Sequence, residues 1–263
     1  YIANKQNILS PSSIDSYRRI KKNSLSELCD IPLSELEPDA VQKHFNILSQ
    51  KKAPKTVNNA HGLLASVINV YAPDIHLNTT LPKKQKKIKN FPSIEDVIRI
   101  VRGTEIELPC LLAIWQGLRM SEVRGIKKSD IKNGILTINR VIVTVNRRHI
   151  EKTETKTYDS KRQLQLPEYI LNLIEKTDSE YITELTGQAI YKRLDRLLKK
   201  NNLEHISFHD LRHLNASVML ALNVPDKYAM ERGGWSSASV MKSVYQHTFS
   251  DERREVDRKI DGF

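Results

Sequence analysis

Apolar residues recur at helical spacing through the first 80 positions. Ile14, Tyr17, Ile20 and Leu25 follow the start signal Ser10-Pro11-Ser12, and Val41, Phe45 and Leu48 follow Pro38-Asp39. Leu63, Leu64, Val67, Ile68 and Tyr71 follow Pro54-Lys55-Thr56 and stop before Pro73. Serine or proline at a first turn, with apolar positions three and four apart behind it, predicts short helices and a small all-helical domain over residues 1–80. Residues 81–92 break the pattern with lysines at 83, 84, 86, 87 and 89 and little apolar content, which predicts a linker, either engaged with a polyanion or merely solubilising.

Periodicity returns at Ser93. Ser93 to Val101 reads as a capped amphipathic helix, Leu108 to Trp115 as a buried apolar run ending at Gly117, and Ser121-Glu122-Val123 as the start of a further short helix. After the turn signal Asn133-Gly134, β-branched residues take over. Ile135 to Val143, Arg148 to Lys156 and Lys161 to Leu166 predict one three-stranded antiparallel sheet, with Tyr158-Asp159-Ser160 as a turn. Gln188 to Lys200 is a basic amphipathic helix whose Lys192, Arg193, Arg196, Lys199 and Lys200 face phosphates or only water. The fold class is therefore mainly α with a small antiparallel β-sheet: a helical domain at 1–80, an α+β domain at 93–249, and a last helix at 250–263.

Chemistry concentrates between Ser207 and His247. Ser207 with Asp210 three residues on is a capping box, so His209 and Arg212 face the same way from the first turn of one helix, whose N-terminus attracts phosphate. After Gly233-Gly234-Trp235, Ser236 or Ser237 caps a second helix that carries Tyr245 about two turns in. An imidazole, a guanidinium and a phenol thus lie near an anion site.

Charge supports that reading. The chain of 263 residues carries a net charge of +11, and residues 1–92 hold 14 basic against 7 acidic side chains, the remainder 28 against 24. The natural partner of the more basic N-terminal part is nucleic acid. Arg18, Arg19, Lys21, Lys22, Lys51, Lys52 and Lys55, with Lys83, Lys84, Lys86 and Lys87 of the linker, are candidate phosphate contacts, which fix register without reading bases. Cys29 and Cys110 stand far apart and make neither a zinc spacing nor a disulfide framework, which fits a reduced, intracellular protein with no metal and no cofactor. No apolar run reaches the ~18 residues of a membrane span. The chain opens on Tyr1 in place of Met, so further residues are expected before it.

The His209-x-x-Arg212 pair, Tyr245 some thirty residues later, and the upstream Gly117-Leu118-Arg119-Met120-Ser121-Glu122 resemble the tyrosine recombinases, the phage-integrase family. The resemblance covers nearly the whole chain and is strongest in its last 150 or so residues. It implies a helical core-binding domain followed by a catalytic domain that cleaves and rejoins DNA strands through a 3′-phosphotyrosine, without metal or ATP. Arg119 then joins Arg212 in clamping the scissile phosphate, and His209 bonds the phosphate or exchanges a proton with the tyrosine. Lys156, in a hairpin that resembles the one carrying the family's lysine, becomes the general acid, with Lys152 and Lys161 as alternatives. Trp235 stands where the family more often has histidine; its single N–H can donate to phosphate but cannot shuttle protons. The implied partners are double-stranded DNA carrying specific recombination sites, further copies in a tetramer on two such sites, and accessory DNA-bending or excision proteins. The implied location is the bacterial cytoplasm, at the nucleoid.

Two other functions share parts of the pattern. A topoisomerase IB-like enzyme uses the same phosphotyrosine and relaxes supercoils without joining sites. A catalytically silent DNA-binding regulator could use Asn215 to His247 as a helix-turn-helix with Tyr245 in its core, but has no need of Arg119, Lys156, His209 and Arg212 in that order. Past Ser250, Val256, Ile260 and Phe263 are the only apolar residues, at helical spacing in a helix too short to stand alone. The tail must pack on something, either its own domain or a neighbouring protomer, and docking on a neighbour ties that neighbour to the nearby Tyr245. Deleting the residues after Phe249, or changing Val256 and Ile260 to Asp, should abolish DNA-dependent assembly while leaving site binding by one protomer intact, as read by native gel shift. A truncated protein that still assembles on paired sites and recombines them at the normal rate would sink the docking idea.

Overall fold

The computed structural model describes residues 1–83, 90–145, 148–152 and 161–245, with positions 240 and 243–245 as backbone only. It divides into two compact units, one holding the helices up to Tyr71 with Thr144, Val145 and Arg148, and one holding the remaining residues described after Ser93. Lys84, Lys86, Lys87, Lys156, Val256, Ile260 and Phe263 lie outside the described residues.

The first unit contains α1 (Ile2–Lys5), α2 (Pro11–Ser24), α3 (Pro38–Lys51) and α4 (Pro54–Tyr71). Proline opens each of the three longer helices, where its missing N–H would have had no partner anyway. The Ser10 hydroxyl accepts the Ser13 N–H at 3.3 Å. Val41, Phe45, Leu48, Val57, Leu64 and Ile68 are buried together with Leu25, Leu28 and Leu36. Tyr71 departs from the apolar pattern: it is exposed, and its hydroxyl accepts from Asn4 Nδ2 at 3.0 Å.

In the second unit, α5 (Ile94–Val101) is capped by the Ser93 hydroxyl, which accepts the Asp96 N–H at 3.0 Å. Helix α6 (Glu107–Gln116) is buried on nearly every side, as its unbroken apolar run requires, and α10 (Phe208–Ala221) packs along it. Each fully buried Leu or Ile stabilises by about 1.5–3 kcal/mol. Between these helices come α7 (Met120–Gly125), α8 (Glu168–Glu175) and α9 (Gly187–Lys200), and after them α11 (Asp226–Gly233) and α12 (Ala238–Tyr245). Helices α8 and α11 follow prolines directly, without a serine or threonine to announce them. No helix of the described residues is long and apolar enough to cross a membrane.

Among the described residues the strands form two sheets in place of the expected one. β1 (Ile131–Lys132), β2 (Ile135–Ile138) and β5 (Arg162–Gln165) form one antiparallel sheet in the order β1-β2-β5, with Leu136 opposite Leu164 and Ile138 opposite Arg162. β3 (Val141–Val145) and β4 (Arg148–Lys152) pair separately. The cause is Asp130, a buried carboxylate. It takes the Lys127 N–H at 2.8 Å, Arg140 Nη1 at 2.9 Å and Asn139 Nδ2 at 3.3 Å. A buried charge needs such donors, and supplying two of them pulls Asn139 and Arg140 out of the strand, splitting the β-branched run.

Helix α6 ends where the site begins. Gly117 lies at φ 66°, and the Leu118 N–H reaches back to the Leu112 carbonyl at 3.3 Å. A Cβ at Gly117 would stand 2.7 Å from Asn215 Oδ1. Gly117→Ala therefore combines a left-handed backbone with a clash and should lower unfolding stability by about 1–3 kcal/mol. Urea unfolding should show the midpoint falling with its slope unchanged.

Candidate active site

Three arginines and one glutamate surround the end of α6 and the turn after α11. Arg119 directly precedes α7, and Glu122 sits in the first turn of that helix. The Glu122 carboxylate accepts the Arg119 backbone N–H at 2.9 Å and Arg119 Nη1 at 2.7 Å, while Arg162 on β5 approaches it with Nη2 at 3.0 Å and Nη1 at 3.3 Å. One carboxylate thus serves two guanidiniums. Burial alone would push Glu122 up, but the charge and hydrogen bonds of Arg162, then those of Arg119, outweigh it and hold the group below the usual carboxylate range.

Arg212 lies in the second turn of α10. The Ser207–Asp210 capping box forms as expected from the sequence, with the Ser207 N–H and hydroxyl both donating to Asp210 Oδ2, at 2.6 and 2.7 Å. Arg212 is only 1% exposed, and its Nη1 donates to the Gly117 and Gly233 carbonyls and its Nη2 to that of Gly234 at 3.5 Å. Burial first, then the Arg119 charge, brings its guanidinium down to about 9, so it remains protonated at neutral pH. The Gly234 carbonyl also accepts Arg119 Nη2 at 2.6 Å, which ties both guanidiniums to one peptide. Gly234 can present it because it sits in the left-handed region at φ 61°.

Aromatic side chains complete the arrangement. The Trp235 ring lies 4.0 Å from the Arg212 guanidinium carbon and is stacked with His213 at 6.2 Å and 22°, and His213 meets His209 edge to face at 4.6 Å. Trp235 is thus a shelf for Arg212. Its indole N–H, read from the sequence as a donor to phosphate, faces Gly233 and has no partner among the described residues. His209 is exposed, yet partial burial of the ring, followed by the Arg212 and Arg119 charges, lowers its pKa despite the opposing pull of Asp210. It is therefore neutral at neutral pH and able to accept a proton.

The structure brings Arg119, His209, Arg212 and Trp235 together. Tyr245 closes α12, the helix that follows the Gly233–Gly234 turn, and Lys156 lies outside the described residues. Of the proposed phosphate contacts, Arg18, Arg19, Lys51, Lys55 and Lys83 are exposed, and Arg19 pairs with Asp15 at 3.2 Å. Sequence reasoning missed Arg162 and the shared role of Glu122. The signal was present: Arg162, Leu164 and Leu166 alternate as buried positions with exposed Lys161, Gln163 and Gln165, so this arginine is in phase with two core leucines. Among the described residues no group of three or more His, Cys, Asp or Glu could hold a metal ion.

Comparison with known proteins adds an independent line. The sequence model of the phage integrase family matches residues 93–252. The integrase of Staphylococcus phage L54a is 25% identical, the alignment covering 93% of this chain and 84% of that protein. The fold is similar to that of the Tn1549 transposon integrase in complex with transposon right-end DNA, with a TM-score of 0.77, 16% identity, and coverage of 98% of this chain and 96% of that one. It is also similar to a lambda integrase tetramer bound to a Holliday junction, with a TM-score of 0.70, 17% identity, and coverage of 92% and 74%.

The shared carboxylate makes stability depend on pH. Because the folded pKa of Glu122 lies below its ordinary 4.5, its ionisation stabilises the fold; that stability is complete above this value and is lost as pH falls through the lower folded one. The difference in unfolding free energy between wild type and Glu122→Gln should be constant from neutral pH down to about 5 and shrink below it. Urea titrations at a series of pH values measure it, and a difference that does not shrink by about pH 3 would assign the ionisation of Glu122 no share in stability.

Proposed function

Since the chain belongs to the phage integrase family and is a tyrosine-type site-specific DNA recombinase, we propose that its strand exchange runs through attack of Tyr245 on a DNA phosphodiester. The phenol oxygen bonds to phosphorus and the bond to the 5′-oxygen breaks, leaving a 3′-phosphotyrosine and a free 5′-hydroxyl. The covalent link preserves the energy of the broken bond, so rejoining is the same step reversed, with a 5′-hydroxyl as nucleophile.

Attack on an anion requires neutralisation first. Arg119, whose side chain is 36% exposed, meets the phosphate directly, and the charge of Arg212, held just behind it, stabilises the added charge of the transition state. His209, neutral at rest, takes or shares the phenol proton, and Lys156 supplies one to the departing 5′-oxygen. The observation that carries this reading is the Gly234 carbonyl: it accepts from both Arg119 and Arg212 and lies on the turn that leads into the helix ending at Tyr245. Trp235 serves as the platform for Arg212.

The helical unit up to about residue 80 and the basic 81–92 linker bind DNA around the cleaved site through Arg18, Arg19, Lys51, Lys55 and the linker lysines, each neutralised phosphate adding salt-sensitive affinity. The partner is double-stranded DNA with specific sites, and the working assembly is a tetramer on two of them, held by the tail at 250–263. The DNA partner and the tetramer are supported by the DNA-bound Tn1549 integrase and the lambda integrase tetramer on a Holliday junction, whose folds the chain shares. Accessory DNA-bending or excision proteins complete the set in the cytoplasm.

A substrate nicked beside the cleavage point traps the adduct, because the short 5′ fragment diffuses away. Tyr245→Phe should lower adduct formation in a denaturing gel by about 10⁴-fold or more and leave site binding near normal, since only the hydroxyl is lost. If the adduct persists, another tyrosine is the nucleophile, and Tyr228, 65% exposed on α11, is next in line.

A further inference from the structure

Arg162 is a buried guanidinium beside the Arg119–Glu122 pair. Its side chain is 3% exposed, and in the period-two pattern of β5 it occupies a core position that an apolar residue would fill without a desolvation cost. It bonds Glu122 with both Nη atoms, at 3.0 and 3.3 Å, and the Arg232 carbonyl with Nε at 2.9 Å. A Cβ on Gly234 would lie 2.8 Å from its Nη1, so it also borders the peptide shared by Arg119 and Arg212.

Glu122 already has a guanidinium partner in Arg119, at 2.7 Å. Without a second one, that pair would be neutral, and the charge Arg119 presents would be cancelled by a carboxylate in contact with it. With Arg162 in place, the group of Arg119, Arg162 and Glu122 carries one net positive charge, and Arg119 is its most exposed member. We propose that Arg162 is a positioning residue for strand cleavage: it occupies one side of the Glu122 carboxylate, so that Arg119 keeps its geometry at the Gly234 turn while retaining its charge for the scissile phosphate. This rests on the reading that Arg119 acts on that phosphate.

The test compares two nicked substrates, one with a normal scissile phosphodiester and one with an uncharged methylphosphonate there. Single-turnover adduct formation is measured for wild type, Arg162→Gln and the double variant Arg162→Gln/Glu122→Gln, with gel-shift affinity and melting temperature alongside. Arg162→Gln leaves the group neutral, so its rate on the phosphodiester should fall about 10- to 100-fold, and on the methylphosphonate by only a small factor. The double variant restores one net positive charge and leaves no unpaired buried carboxylate, so its ratio between the two substrates should return to that of wild type. A purely structural Arg162 would slow both substrates alike and in step with melting temperature. Equal losses on the two substrates, or a double variant that keeps the altered ratio, overturn the proposal. The nucleophile is judged separately: an adduct that survives Tyr245→Phe overturns the Tyr245 reading and leaves the comparison between substrates, which holds for whichever tyrosine attaches, to decide on Arg162.

Discussion

Guanidiniums taken out of water need oxygen acceptors, and here helix ends supply most of them. The last carbonyls of a helix have no partner within it and carry the negative end of its dipole. Gly117 closes α6 and Gly234 closes α11, each in the left-handed region, and the carbonyls of Gly117, Gly233 and Gly234 accept from Arg212, that of Gly234 also from Arg119. The backbone that has to stop two helices is thus the backbone that holds two positive charges side by side. Glu122 adds a carboxylate in direct contact with both Arg119 and Arg162, set there by the first turn of α7.

Most of the helical framework was legible in the sequence because its signals are local. Ser10, Ser93 and Ser207 cap α2, α5 and α10, and the prolines at 11, 38 and 54 open α2, α3 and α4, each requiring only nearby residues to act. The sheet was less legible because its decisive residue is remote. Nothing near Asn139 announces that Asp130 will be buried and will draw two consecutive residues out of a β-branched run. Arg119, His209 and Arg212 were singled out by motif and spacing, and the structure places them close to one another. Arg162 was hidden because arginine is ordinarily read as surface, and its phase with Leu164 and Leu166 becomes informative only when β5 is known to have one buried face. The inward-facing Trp235 N–H could not be foreseen, since the composition of a motif says nothing about which edge of an indole meets Gly233.

The two units differ in how much their sequences specify. The first is held by an ordinary apolar core under an exposed basic surface, a design in which many side chains can change at little cost. In the second, charged groups are interleaved with the core: Glu107, Glu122, Asp130, Arg162 and Arg212 are buried beside aliphatic neighbours, each with oxygen or nitrogen partners at hydrogen-bond distance. Removing one partner of such a pair strands the other, so substitutions there interact with one another more strongly than with the rest of the chain.

The turn after Gly234 sets a gear ratio. Between the carbonyl that Arg119 and Arg212 share and the first residue of α12 stand only Trp235, Ser236 and Ser237. A helix advances about 100° and 1.5 Å with each residue, so one amino acid inserted or removed in α12 would turn position 245 by more than a quarter turn about the axis while moving it little along it. Substitutions in this stretch leave that phase unchanged, whereas changes of length shift it at once. Chain length between Gly234 and Tyr245 is therefore under stricter constraint than the identity of most residues it contains.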